Sequence, residues 1–240
     1  MVCQLDSRTM ILDGAPVVFL PRPVGADLPW YRAGGCPNPI AVWQPKAADG
    51  WTPANIAASY VNRVNPGTYD AAPGTAPAWD PLVGWTFTAA SLQYLTTGLV
   101  PANDQSYSMV VRYNTAAFVN TQMFAGATNG GGRQFSIGKW FSAFNRFIFY
   151  NGSFQYSTSA YAVAGTLGVT TAGYLNGVID TAALGAWAGA SAQGIYLGAL
   201  NNSGVPGNYL TGVMTAAAVW NVSVSAYMAA LHARLIAVGL

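Results

Sequence analysis

Glutamate is absent from this chain of 240 residues, and little else in it carries charge. Charged residues make up 8%, against about 25% in an ordinary soluble domain. The acids are eight aspartates, the bases are two lysines and eight arginines, and His232 is the single histidine. Chemistry that needs a glutamate, a histidine pair or a Cys/His metal cluster is therefore excluded by inventory. The aspartates form no close pair within a predicted strand, and Asp70 and Asp80 fall in a Pro/Gly-rich loop where turn and capping roles are usual. His232 sits in a predicted terminal helix, and no G-x-S-x-G elbow accompanies it. Gly130-Gly131-Gly132 has neither P-loop nor dinucleotide spacing. The expectation is a non-enzymatic chain with no catalytic residue, no metal and no cofactor.

Other absences narrow the partners. Arg22 and Arg32 are the nearest approach to a basic cluster in the first third, so no phosphate-binding footprint exists and no nucleic acid is expected. No run approaches the roughly 20 apolar residues that span a bilayer, so no membrane partner is expected. The N-terminus shows no basic region followed by an apolar one, which predicts synthesis in a cytoplasm without a signal peptide. Yet hydrophobic residues reach 52% and the net charge is only +2. Weakly charged surfaces associate. The composition suits a subunit that buries its surface against other copies of itself; a surface rich in neutral polar groups is the alternative.

Proline divides the chain. Seven of the 14 prolines lie within the first 45 residues, and only Pro101 and Pro206 follow Pro81. Proline favours edge, turn and polyproline conformations. Residues 1–40 thus read as an extended arm carrying a short hairpin around Asp13-Gly14. Its apolar side chains, Ile11, Leu12, Val17, Val18, Phe19 and Leu20, cannot bury themselves and are expected to contact the body or a neighbouring copy. Cys3 and Cys36 lie in the same arm. They can form a disulfide within or between chains in an oxidising setting, or remain two buried thiols.

From residue 41 the pattern is that of strands. Tyr107, Met109, Val111 and Tyr113 alternate with Ser106, Ser108, Val110 and Arg112, as in a half-buried strand. Asn151-Gly152 after an aromatic run, and Asn176-Gly177 between two short runs, are hairpin signals. Turns recur about every ten residues, which favours a sandwich or jelly roll. One helix closes the chain, with Tyr227, Leu231, Arg234, Leu235 and Val238 at helical spacing, Ser223 or Ser225 as cap and Gly239 as stop. The fold class is all-β: a two-sheet antiparallel jelly-roll sandwich with an extended N-terminal arm (residues 1–40) and one short C-terminal helix, the domain proper being 41–240.

Several motifs then carry a resemblance. Trp85-Thr86-Phe87 with Tyr94-Leu95 resembles the W-x-F opening of laminin-G-like domains in the concanavalin A-like lectin/glucanase superfamily. Tyr174-Leu175-Asn176-Gly177 resembles a later family hairpin, and Ala216–Asn221 before a helix resembles the closing signature. The resemblance covers about residues 41–240 and implies a concanavalin A-like jelly roll. Thr88-Ala89-Ala90 departs from the Asp-Gly that often follows the opening, which weakens any calcium site. The glucanase branch works through paired glutamates, which this chain lacks. The combination of this pattern, low charge and no signal peptide looks most like bacteriophage virion proteins. On that analogy the chain is a structural, capsid-decorating component located in the virion, a homo-oligomer such as a trimer, contacting other virion proteins. The alternative is a glycan-binding adhesin module recognising a cell-surface glycan. Its candidate residues are Arg133 and Trp140 around one loop and Asn201, Asn202 and Tyr209 around another, against the reading that aromatics fill the core and Asn-rich loops are turns.

Overall fold

The structure, a computed structural model, describes residues 28–102, 105–114, 121–130, 133–140, 146–189 and 191–240, and the backbone of the strands Met10–Leu12 and Ala15–Val17. Those two short strands pair with each other, Met10 opposite Val17 and Leu12 opposite Ala15. Ile11, Leu12 and Val17 therefore sit on a hairpin of known backbone, while Val18, Phe19, Leu20 and Cys3 lie outside the described residues.

Strand periodicity builds the sandwich. Phe135 and Ile137 alternate with Ser136 and Gly138, and Phe147 and Phe149 alternate with Ile148 and Tyr150. The first set points inward to a core shared by two eight-stranded sheets. In the first sheet, Arg146–Tyr156 forms one edge. Next come Gln134–Trp140, Gln122–Thr128, Tyr196–Leu197, Tyr94–Thr96 and Ala72–Thr75, while the hairpin Leu200–Asn202 with Val205–Gly207 joins beside Gln122–Thr128. The second sheet runs Val178–Ala183, Ala172–Leu175, Ala164–Val169, Ser108–Asn114, Gly212–Trp220, Gly84–Phe87 and Ala78–Asp80, with Ala41–Trp43 also on Gly212–Trp220. Pairing is antiparallel apart from Leu200–Asn202 on Gln122–Thr128. The two-sheet antiparallel sandwich with one short C-terminal helix expected from the pattern is present.

The second sheet is covered on its outer face as well. A separate apolar cluster there joins Ala216, Ala218 and Trp220 to Trp30 and Cys36 from the turn region, and to Met228, Leu231 and Leu235 from the helix Met228–Ala237. Small alanines let the helix lie close. This second layer explains why Ser108–Asn114 is buried on both faces over most of its length instead of half-buried. It also moves the arm boundary. Trp30 and Cys36 are fully buried, so residues 28–40 pack on the body although their prolines suggested an arm.

Two local signals resolve in opposite ways. Asn176 and Gly177 both take positive φ, 51° and 82°, and turn the chain between Ala172–Leu175 and Val178–Ala183 as the dipeptide predicts. Asn151-Gly152 closes no hairpin, and Arg146–Tyr156 continues through it as one strand with a local irregularity at Gly152, whose φ is 91°. The Asn151 side chain is occupied instead, donating to Tyr107 O and Thr170 O and accepting the Trp187 indole N–H at 2.7 Å. Helix closure is similarly mixed. Leu240 N–H bonds Leu235 O and Gly239 N–H bonds Ile236 O, a Schellman ending. The start has no side-chain cap, because Ser223 and Ser225 bond each other and Ser225 reaches Thr170.

Candidate functional site

Tryptophan hydrogen bonding separates structural from available aromatics. Trp30, Trp43, Trp85 and Trp220 are fully buried. Their indole N–H groups donate to Gln44 Oε1, Tyr69 O, Ser59 Oγ and Pro37 O. Trp51, Trp79 and Trp187 donate to Gln44 O, Pro45 O and Asn151 Oδ1. Each is fixed by its own fold, as partly or wholly buried indoles usually are. Trp140 differs: it is 36% exposed, and among the described residues its N–H has no acceptor.

Strand register places Trp140 on the open face of the first sheet. It ends Gln134–Trp140, opposite Arg146. The outward positions of the neighbouring edge strand follow at every second residue: Ile148, Tyr150, then Phe154 and Tyr156 beyond Gly152. The rings of Tyr150 and Phe154 lie 5.4 Å apart, and those of Phe154 and Tyr156 also 5.4 Å, tilted by 42° and 71°. The result is a stepped ridge, not a flat plate. Phe154 is 47% exposed and Tyr156 38%.

The same face extends across the sheet. Tyr150, Ser136, Gly126, Tyr196 and Thr96 are successive register partners. Tyr196 stacks on Tyr94 at 5.0 Å, and Tyr94 meets Tyr209 at 6.3 Å. Between the two aromatic groups lies a buried floor of Met123, Ile148 and Leu200. Burial pushes the Tyr150 phenol up to about 12, with Tyr156 adding to the rise. Burial raises Tyr196 as well, helped by Tyr94. These phenols stay neutral and offer both a donor and an acceptor.

The residues expected at a glycan site are distributed unevenly. Trp140 and Tyr209 both belong to the aromatic surface. Arg133 does not join Trp140, because the strand Gln134–Trp140 separates them by roughly 20 Å at about 3.4 Å per residue; it precedes Gln134, the partner of Gly152, and so lies toward the Phe154 end of the ridge. Asn201 is buried and committed to its own turn, with Oδ1 accepting from Gly204 N–H and Nδ2 donating to Gly194 O. Asn202 is exposed on the same hairpin. Tyr150, Phe154, Tyr156, Tyr94 and Tyr196 were not singled out. The alternation of Tyr150, Gly152, Phe154 and Tyr156 was the available signal, and the turn-like Asn151-Gly152 concealed it.

Among the described residues, the acids show no catalytic pairing. Asp70 accepts Asn62 and Gly67 N–H groups, Asp80 accepts Leu82 N–H, and Asp180 accepts from Thr158 and Ser159. Each of these acids closes a turn or loop. No group of three or more His, Cys or Asp side chains able to hold a metal ion occurs among the described residues. Cys36 is a buried thiol pushed up to about 12 by burial, against the pull of Arg32, which makes it a poor nucleophile.

No family model and no curated protein matches the sequence. Solved structures do match in fold. The sialidase of Trypanosoma rangeli aligns at TM-score 0.52 and 13% identity, over 83% of this chain and 34% of that one. Domain 4 of the arabinanase AbnA from Geobacillus stearothermophilus, solved with arabinotriose, gives 0.49 and 11% over 81% and 98%. The CBM40 of Ruminococcus gnavus sialidase, solved with α2,3 sialyllactose, gives 0.40 and 16% over 54% and 83%. The chain spans 23% of the Streptococcus pneumoniae NanB sialidase. At such identities the likeness concerns architecture alone, a β-sandwich of two antiparallel sheets.

Proposed function

We propose that the chain is a carbohydrate-binding module without catalysis of its own, recognising a glycan along the open face of its first sheet. The observation that carries this reading is the ridge of Tyr150, Phe154 and Tyr156; Trp140 is a separate exposed ring on the same face, four residues along the strand from the position opposite Tyr150. Exposed aromatic rings in a row are costly in water and suit the apolar C–H face of a sugar ring, while the Trp140 N–H and the phenols serve hydroxyl groups. Spacing of 5.4 Å between rings is close to the length of one sugar unit, which favours a chain of sugars over a single one. That two of the matched structures hold oligosaccharides agrees with this reading without identifying the sugar.

The test is a glycan array followed by titration. Phe154→Ala and Trp140→Ala should each weaken the best oligosaccharide at least about tenfold, within the roughly 1–3 kcal/mol expected of a lost stacking ring, with unchanged thermal melting. Silence across a broad array, or full affinity in both variants, overturns the reading.

A second reading is an assembling subunit, a bacteriophage virion component held by its N-terminal segment. Low charge favours self-association, and so does the edge strand Val178–Ala183, which exposes the adjacent Val178 and Ile179, each more than 60% accessible. The comparisons offer nothing on a phage particle.

A further inference from the structure

A cavity of about 390 Å³ opens on the opposite side of the molecule from the aromatic ridge, between the Trp30–Gly35 turn and the loop after Ile56–Ser59. Arg32, Arg63, Tyr31 and Asn38 line it, with Pro39 and Val64 as apolar walls. We propose that this cavity binds an acidic sugar, whose carboxylate is held by Arg32 and Arg63.

Two cations face one cavity whose lining contains no acid. The Arg32 Nε donates to Cys36 O at 2.8 Å and its Nη1 to Asn38 Oδ1. Arg63 Nη1 donates to Gln44 Oε1. All three acceptors are neutral oxygens, and each guanidinium has five N–H groups to offer. The acid that bears on Arg63, Asp49, is already engaged: it accepts Arg234 Nη2 at 2.8 Å and Trp30 N–H at 2.5 Å. Burial disfavours the charge on Arg63, so an anion beside it would recover energy that the folded chain gives up.

The arginines are also held in place before any ligand arrives. The Arg63 guanidinium lies over the Tyr31 ring at 5.5 Å and the Trp51 ring at 5.1 Å. Its loop is pinned by the fully buried Asn62, which accepts Val42 N–H and donates to Ile40 O and Thr68 O. Gln44 Oε1 ties Arg63 to the Trp30 indole. Such preorganisation lowers the cost of binding. Planar forks match a carboxylate's two oxygens, and the apolar walls suit an organic ligand better than a hydrated inorganic anion. The volume is at the small end for ligand sites, where a monosaccharide fits. The sugar half of the assignment rests on the glycan-binding reading, and the carboxylate half rests on the arginines.

Isothermal titration of the full chain with glucuronate, N-acetylneuraminate, glucose and inorganic phosphate tests it. The expected result is binding of at least one acid sugar at about millimolar Kd or tighter, with no binding of glucose. Arg32→Gln and Arg63→Lys should each weaken it about tenfold, the second because a lysine keeps the charge and loses the fork. Asn38→Ala removes only an exposed partner of Arg32, so it serves as the variant least able to disturb folding, and a severalfold loss is expected. Phe154→Ala should leave acid-sugar affinity unchanged. The proposal is overturned if neither acid sugar binds, if glucose or phosphate binds as well, if the Arg32 and Arg63 variants bind normally, or if Phe154→Ala abolishes the binding. A silent ridge with an active cavity would instead sink only the ridge.

Discussion

One histidine in 240 residues makes a clean reporter. His232 Nδ1 lies 3.0 Å from Thr166 Oγ1, and burial first, then the charge of Arg112, hold its pKa below 6.5. The unfolded chain therefore takes up a proton first on acidification. Stability present above pH 6.5 is lost as pH falls through that value, before the aspartates titrate. Melting temperatures between about pH 7 and 5 should decline in the parent chain and stay flatter in His232→Gln; equal slopes would remove His232 as the cause. At this scale the sequence told which residues were absent better than which were available. Trp140 was legible as a candidate, whereas Arg63 was not, because its cavity is made by segments far apart in the chain. Asn201 looked like ligand chemistry and proved to be turn chemistry, since an amide side chain can bond its own loop as readily as a sugar.

Elements were more legible than sites. The strand pattern, the late Asn176-Gly177 turn and the terminal helix follow from local chemistry. What local chemistry hides is a second layer. Ala216 and Ala218 read as an ordinary strand, yet both are fully buried in the helix-facing cluster that Leu231 and Leu235 complete. Ala218→Leu should cost about 1–3 kcal/mol by overpacking, read as a shifted urea midpoint with unchanged slope. A neutral result would mean the helix lifts away without penalty. Asn151-Gly152 shows the converse, a turn dipeptide overruled because Asn151 is recruited by Tyr107, Thr170 and Trp187 from three other segments.

Whole-molecule behaviour separates the two functional readings. Mass photometry of the purified chain, with and without reductant, reports assembly directly. A monomer in both conditions favours the binding module, whereas a reductant-sensitive oligomer favours the assembling subunit and an interchain bond through Cys3, since Cys36 is enclosed. Removing residues 1–27 should leave the melting transition intact, because Trp30 and the residues after it already belong to the packed body. A truncated chain that no longer folds would give those residues a structural part in the domain. Legibility at this scale was limited by composition: low charge suits assembly and an aromatic-rich glycan surface alike.

The unequal covering of the two sheets has a consequence for how the protein can change. A substitution at Ala216, Ala218 or Trp220 on the second sheet's outer face strikes the helix and the Trp30 turn, so that patch is closed to variation. Beyond the packed Ile148 and Tyr150, the outward positions at the first sheet's edge are open, Trp140, Phe154 and Tyr156 each being more than a third exposed. Those three can be exchanged in combination while the scaffold stands, which makes this face a natural place to rewrite specificity, by selection in a library or over evolutionary time.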